Sequence, residues 1–149
     1  MGKRHKRRGS VLVELALVAP LAIALLLGGV HFGYLFYLYN LLDKSVRDGA
    51  RYAASRTYTD KAHYDPVIQN IVVNGSVGAA TPVVPLLTTA MVTVTEILPA
   101  GGGRPERIKI AITGYTYTGP LSSILGGTLT LNGKPSMEVP FIGLYMPPL

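Results

Sequence analysis

From Leu15 to Leu42 the chain carries no Asp, Glu, Lys or Arg, and this run limits what the rest can fold into. It exceeds the ~20 residues that a helix needs to cross a hydrocarbon core of ~30 Å. As a helix it extends roughly 42 Å at ~1.5 Å per residue, so about two or three turns project beyond the lipid. Those turns hold Tyr34, Phe36, Tyr37 and Tyr39, rings suited to the water interface. A cleaved secretory signal is the rival reading, but its apolar core of ~7–15 residues is shorter and ends at a small-residue cleavage site. In 149 residues, one such span leaves room for one further small packed unit.

The formal net charge of +6 is concentrated at one end. Lys3, Arg4, Lys6, Arg7 and Arg8 precede the run with no acid before Glu14, whereas basic and acidic residues nearly balance after Asp43. Basic residues beside a span resist translocation, so the N-terminus is expected in the cytoplasm and everything beyond Asp43 in the periplasm. The balanced remainder offers no broad basic face for phosphate, which argues against a nucleic-acid partner. With no cysteine, the unit outside the membrane has to hold by packing alone.

Inside the span, Pro20 removes a backbone donor and is expected to bend the helix without ending it. Gly29 and Gly33 form a G-x-x-x-G spacing with Gly28 alongside, which lets another helix approach closely; glycine is also simply common in such helices. His31 has no second ligand at helical spacing, so no metal is implied. Glu14 is the anomaly, because a lone carboxylate at the edge of hydrocarbon is costly without water or a cation. Two readings stand. Arg7 and Arg8 shield it at the cytoplasmic rim, or the chain is cut after Gly9 and Glu14 neutralises the new Ser10 amine of a neighbouring subunit.

The basic leader, Gly9, Glu14 five positions later and the following apolar helix resemble the processing site of type IV prepilins. The longer stretch from Arg7 to Ala54 resembles the N-terminal module of TadE-like proteins, the minor pilins or pseudopilins of Tad (Flp) pilus systems. That resemblance rests on Gly9, Glu14, the segment ALVAP from Ala16 to Pro20, and RDGARYAA from Arg47 to Ala54. Leu15 follows Glu14 where the major Flp pilins carry tyrosine, which favours the minor class. The resemblance implies cleavage between Gly9 and Ser10 by a prepilin peptidase, and a role for Glu14 in assembly. It also implies partners among other pilin-like subunits and the pilus assembly platform, with the bacterial inner membrane as the site of action.

Beyond the span, Leu42, Val46, Ala50 and Ala53 fall on one stripe while Lys44, Arg47, Asp48 and Arg51 lie elsewhere, so the helix is expected to continue to Arg56, with Arg51 pairing with Asp48. Gly49 with Ala50, Ala53 and Ala54 makes a narrow face for close packing, against a sheet of its own unit or another subunit. Asp65-Pro66 reads as an N-cap with proline at the first helical position and Asn74-Gly75 as a stop, giving a short helix over Asp65 to Val73. Ala90 to Ile97 and Arg107 to Tyr117 read as strands, the second with Ile108, Ile110 and Ile112 on one face and Tyr115 and Tyr117 sharing a face. The segment TLTLNGKPSMEVPF adds one or two short strands around Asn132-Gly133, and Pro135 demotes it to an edge.

The expected class is therefore α+β: a long N-terminal transmembrane helix continuing into a small periplasmic unit with a short helix and an antiparallel sheet. The divisions are a cleaved basic leader over 1–9, the span and its extension over 10–56, and the periplasmic unit over 57–149. Scattered acids and the absence of a nucleophile elbow or phosphate loop argue against an enzyme, a cofactor or a small-molecule substrate. A pilin-like subunit and an uncleaved, signal-anchored periplasmic scaffold or assembly protein of a secretion system remain, and the mature N-terminus separates them.

Overall fold

The computed structural model describes residues 4–100, 103–117, 119, 122 and 128–146, with the backbone alone over 4–9 and at 129. Helix α1 runs unbroken over Arg4–Ser55, passing through Pro20. A second helix, α2 (Lys61–Asn74), is followed by a 3-10 turn at Thr89–Met91 and by strands β1 (Val92–Ile97), β2 (Arg107–Tyr117) and β3 (Leu129–Pro140). The strands form one antiparallel sheet in the order β1-β2-β3. The class is α+β, as the sequence led us to expect.

Both helices cover one face of the sheet. The expected stripe on α1 is the seam: Leu42, Val46, Ala50 and Ala53 are fully buried, against Ile68 and Val72 of α2 and Ile108, Ile110 and Ile112 of β2. Burial of each large aliphatic side chain there contributes about 1.5–3 kcal/mol. Thr93, Thr95, Lys109 and Thr113 face away and are exposed. The tail closes the far end of the seam, where Phe141 is buried, Ile142 N donates to Ala54 O, and Tyr58 N donates to Leu144 O at 2.8 Å.

Gly49 explains how closely α1 and α2 approach. A Cβ there would lie 2.3 Å from Cγ2 of Val72 and 3.7 Å from Cδ1 of Ile110. The partner of the narrow face is thus this chain's own α2 and sheet. Gly49→Val is expected to destabilise the packed unit by on the order of 3 kcal/mol through overpacking, whereas Gly29→Val, with nothing near its Cβ, leaves stability nearly unchanged. Thermal unfolding of both variants in detergent checks the contrast, and equal melting temperatures would remove the steric account.

Several local expectations need correction. Helix α2 starts at Lys61, four residues before Asp65, because Asp60 is extended at the N-cap and its side chain accepts from His63 N at 2.8 Å. Pro66 therefore lies inside the helix, not at its first position. The stop is as expected: Gly75 adopts φ 79° and donates to Ile71 O. Arg47 pairs with Asp43 at 2.7 Å, one helical turn away, rather than Arg51 with Asp48. The first strand begins at Val92, since Thr89–Met91 forms a 3-10 turn.

The segment around Asn132-Gly133 is one edge strand with a bulge, not a hairpin turn. Its pairing with β2 jumps from Ala111↔Ser136 to Thr113↔Asn132 and then to Tyr115↔Leu131, so Gly114 is an extra residue on β2. Gly114 takes φ 75°, a left-handed conformation suited to glycine, and its N–H bonds Asn132 Oδ1 at 3.1 Å. That extra residue reverses the strand's parity. Tyr115 and Tyr117 consequently join the three isoleucines on the buried face.

Candidate functional site

Helix α1 has two unlike halves. Leu38 is its first buried side chain, and the packed unit covers it from there on. Up to Val30 the surface is apolar and largely uncovered, with Leu17 at 74% and Leu25 at 71% exposure. Mean hydropathy reaches 2.5 in an 18-residue window of Ser10–Ser55, with 0% of that window buried, so α1 is long and apolar enough to cross a membrane. A helix apolar on every side belongs in lipid or among other helices. This half is the chain's candidate membrane anchor.

Ser10 and Glu14 are both exposed at the start of the bare half, one turn apart on the same face. The peptide joining Gly9 to Ser10 lies within the helix. The side chains of Arg4, Lys6, Arg7 and Arg8 lie outside the described residues, as does all of Lys3, and with them the shielding of Glu14 by the leader. Pro20 is exposed on the bare surface.

The glycines occupy an open flank. A Cβ on Gly28, Gly29 or Gly33 would meet nothing within 4 Å. His31, Leu35, Leu38 and Leu42 form the covered side of α1, and at ~100° per residue Gly33 points nearly opposite to both His31 and Leu35. A second helix using this flank approaches from the side away from the sheet. Replacing Gly29 and Gly33 together with leucine is expected to weaken contact with partner helices while preserving insertion, because bulk blocks close approach without lowering hydrophobicity. Unchanged crosslinking to partner subunits would leave the glycines without that role.

The packed unit also holds a partly buried charged cluster that no local sequence signal marks. Lys61 Nζ donates to Asp65 Oδ2 at 2.7 Å, Glu96 Oε2 at 2.8 Å and Val94 O at 3.2 Å, tying the start of α2 to β1. Asp65 Oδ1 and Glu96 Oε1 are buried and lack a partner among the described residues. Two carboxylates around one ammonium leave an excess negative charge, which favours protonation of one of them. Burial and the nearby Glu96 push the Asp65 carboxyl up to about 6. Burial also opposes the charge on Glu96, but hydrogen bonds from Asp65 and Lys61 overcome it and hold that carboxyl below its ordinary value. Burial raises the neighbouring Tyr58 and Tyr64 hydroxyls.

The arrangement is a clasp rather than an acid–base pair. A nearby cavity of about 290 Å³ is lined by Arg56, Thr57, Thr59, His63 and Tyr64 and by neither carboxyl. Because the Asp65 value is raised above 3.8, the folded state holds this proton more tightly than the unfolded chain between about pH 4 and 6. Its contribution is present at the acid end of that window and is lost as pH rises through it. The melting temperature in detergent is expected to fall from pH 4.5 to 6.5 by roughly 4–8 °C, equivalent to about 1 kcal/mol, and Asp65→Asn removes this slope. An unchanged slope in Asp65→Asn would assign the effect elsewhere.

Residues 9–51 match the family model TadE, described as TadE-like protein. The N-terminal module is TadE-like. The match starts at Gly9 and ends at Arg51, spanning Glu14, Pro20, the glycine flank and the narrow face at Gly49. It agrees with the resemblance carried by those motifs, and the family is one of pilus-associated, pilin-like proteins that work as structural components. No curated protein and no solved structure matches the chain.

Proposed function

We propose that this chain is a minor pilin or pseudopilin that takes part in building a Tad-type (Flp) type IV pilus used in adherence. It waits in the bacterial inner membrane with its basic leader in the cytoplasm and its packed unit in the periplasm. A prepilin peptidase trims it after Gly9, and the bare half of α1 then packs among other pilin-like subunits at the assembly platform. The observation that carries this reading is the coincidence of the TadE-like match with an apolar half-helix that the chain's own core leaves uncovered.

Physically, the two halves divide the work. The buried half of α1 fixes the sheet and α2 to the helix, so the unit travels as one body. The exposed half supplies apolar area and a carboxylate one turn from the new amine. A transfer from lipid into a helical bundle exchanges one apolar setting for another, so packing and charge pairing decide whether it occurs. Comparing sheared filaments with the washed membrane fraction tests the proposal. Processed chain is expected in membranes and, once pili form, in filament preparations, and deleting its gene is expected to abolish pili. Full-length chain confined to membranes, with normal pili in its absence, would favour an uncleaved scaffold instead.

A further inference from the structure

We propose that the lower end of the sheet, around Tyr117 and Leu131, rests in the headgroup layer of the bilayer that α1 crosses, so that no bare stalk separates the packed unit from the membrane. The proposal rests on the membrane-spanning reading of α1 and adds a surface, that of the lipid, to which the sheet itself docks. Among the described residues, the packed unit's lowest contacts on α1 are fixed by geometry. The Tyr117 and Tyr34 rings lie 5.5 Å apart, and a Cβ built on Gly119 would sit 2.9 Å from the His31 ring. The packed unit thus reaches the level of His31 and Tyr34.

The span measures the same level independently. A hydrocarbon core of ~30 Å takes ~20 helical residues. Counted from Val11 these end near Val30, and counted from Leu15, with Glu14 left at the rim, they end near Tyr34. Either placement puts the outer edge of the hydrocarbon within one turn of the sheet's lowest contacts. Tilt of α1 by ~20° lengthens the requirement by only about one residue.

Chemistry at this level suits lipid. Phe32, Leu35, Phe36 and Tyr39 of α1 and Leu131 of β3 line an apolar cavity of about 370 Å³. Phe32 and Phe36 remain 62% and 69% exposed, and the cavity continues into the bare surface of α1. In water this notch would leave apolar walls wetted; in the interface, the glycerol end of an acyl chain fills it, and Tyr37 and Tyr39 sit where amphipathic rings are favoured. Continuity with the span is what selects lipid as the occupant over a second copy.

The chain has no tryptophan, so single substitutions report alone. Full-length Leu131→Trp, Phe36→Trp, Leu21→Trp and Lys109→Trp would be reconstituted in phosphatidylcholine vesicles and challenged with lipids brominated near the glycerol end or near the chain terminus, and with aqueous acrylamide. Leu131→Trp and Phe36→Trp are expected to lose emission to the shallow bromines, Leu21→Trp to the deep bromines, and Lys109→Trp to acrylamide alone. Phe36 makes a second probe because it lies outside the buried core. If Leu131→Trp and Phe36→Trp respond only to acrylamide while Leu21→Trp still responds to deep bromines, a stalk exists and the proposal is overturned. Protection of both from every quencher, relieved by diluting protein in lipid, would also overturn it by placing a second copy in the notch. Failure of Leu21→Trp to respond to lipid would overturn the span itself.

Discussion

Gly9→Val is expected to leave the chain about nine residues longer than the processed form, because a valine side chain obstructs the backbone at the proposed scissile bond. Helix α1 runs through the Gly9–Ser10 peptide, so cleavage has to unwind at least one turn there. Glycine weakens a helix by roughly 0.5–1 kcal/mol relative to alanine, which lowers the cost of that unwinding. Intact mass in cells carrying the cognate peptidase reads the outcome directly. The variant is expected to insert normally, retain the leader and fail to support pili. If parent and variant both keep the leader, differing in mass only by the glycine-to-valine substitution, and piliation is unchanged, cleavage after Gly9 does not occur.

Glu14→Ala is expected to have the opposite signature: normal trimming with assembly lost. Glu14 lies beyond the proposed scissile bond, so its replacement is expected to leave that backbone unobstructed. After the cut, the Ser10 amine enters an apolar bundle with a positive charge, and an unpaired buried charge costs roughly 3–5 kcal/mol. That corresponds to a few hundredfold or more in association. Filament yield and crosslinking to partner subunits measure the loss, and Glu14→Asp is expected to recover part of it. If Glu14→Ala assembles as well as the parent chain, Glu14 is only a rim carboxylate shielded by Arg7 and Arg8. The order of the two defects separates processing from packing.

Much of this architecture was legible because its signals are local. The charge-free run marks α1, and the stripe of Leu42, Val46, Ala50 and Ala53 marks the seam, since periodicity on one helix needs no knowledge of the partner. The alternation of Ile108, Ile110 and Ile112 marks β2 for the same reason. What misled was a choice between two local signals: Asp65-Pro66 imitates a helix start, but Asp60 caps the helix by accepting from His63 N, and α2 runs on through Pro66. Long-range features carried no local mark. The bulge at Gly114 depends on the register of β3, and Lys61 meets Glu96 across 35 residues of sequence. The contact between Tyr34 and Tyr117 likewise appears only when the sheet is laid against the helix.

The candidate site is legible to a different degree. Glu14, Gly29 and Gly33 were singled out from residue chemistry, and the structure places all three on the uncovered half of α1. Their joint use is a matter for partners that a single chain does not contain. The Lys61, Asp65 and Glu96 clasp lies in the packed unit, and its effect on pH dependence concerns the stability of that unit, separate from helix packing in the membrane.

The mass and N-terminal sequence of the unmodified chain, recovered from membranes and from sheared filaments of the same cells, test the central claim most directly. Processing after Gly9 predicts a chain beginning at Ser10 in both fractions, with the amine that Glu14 of a neighbour would neutralise. A chain retaining Lys3, Arg4, Lys6, Arg7 and Arg8 in both fractions would contradict the account and leave a signal-anchored membrane protein.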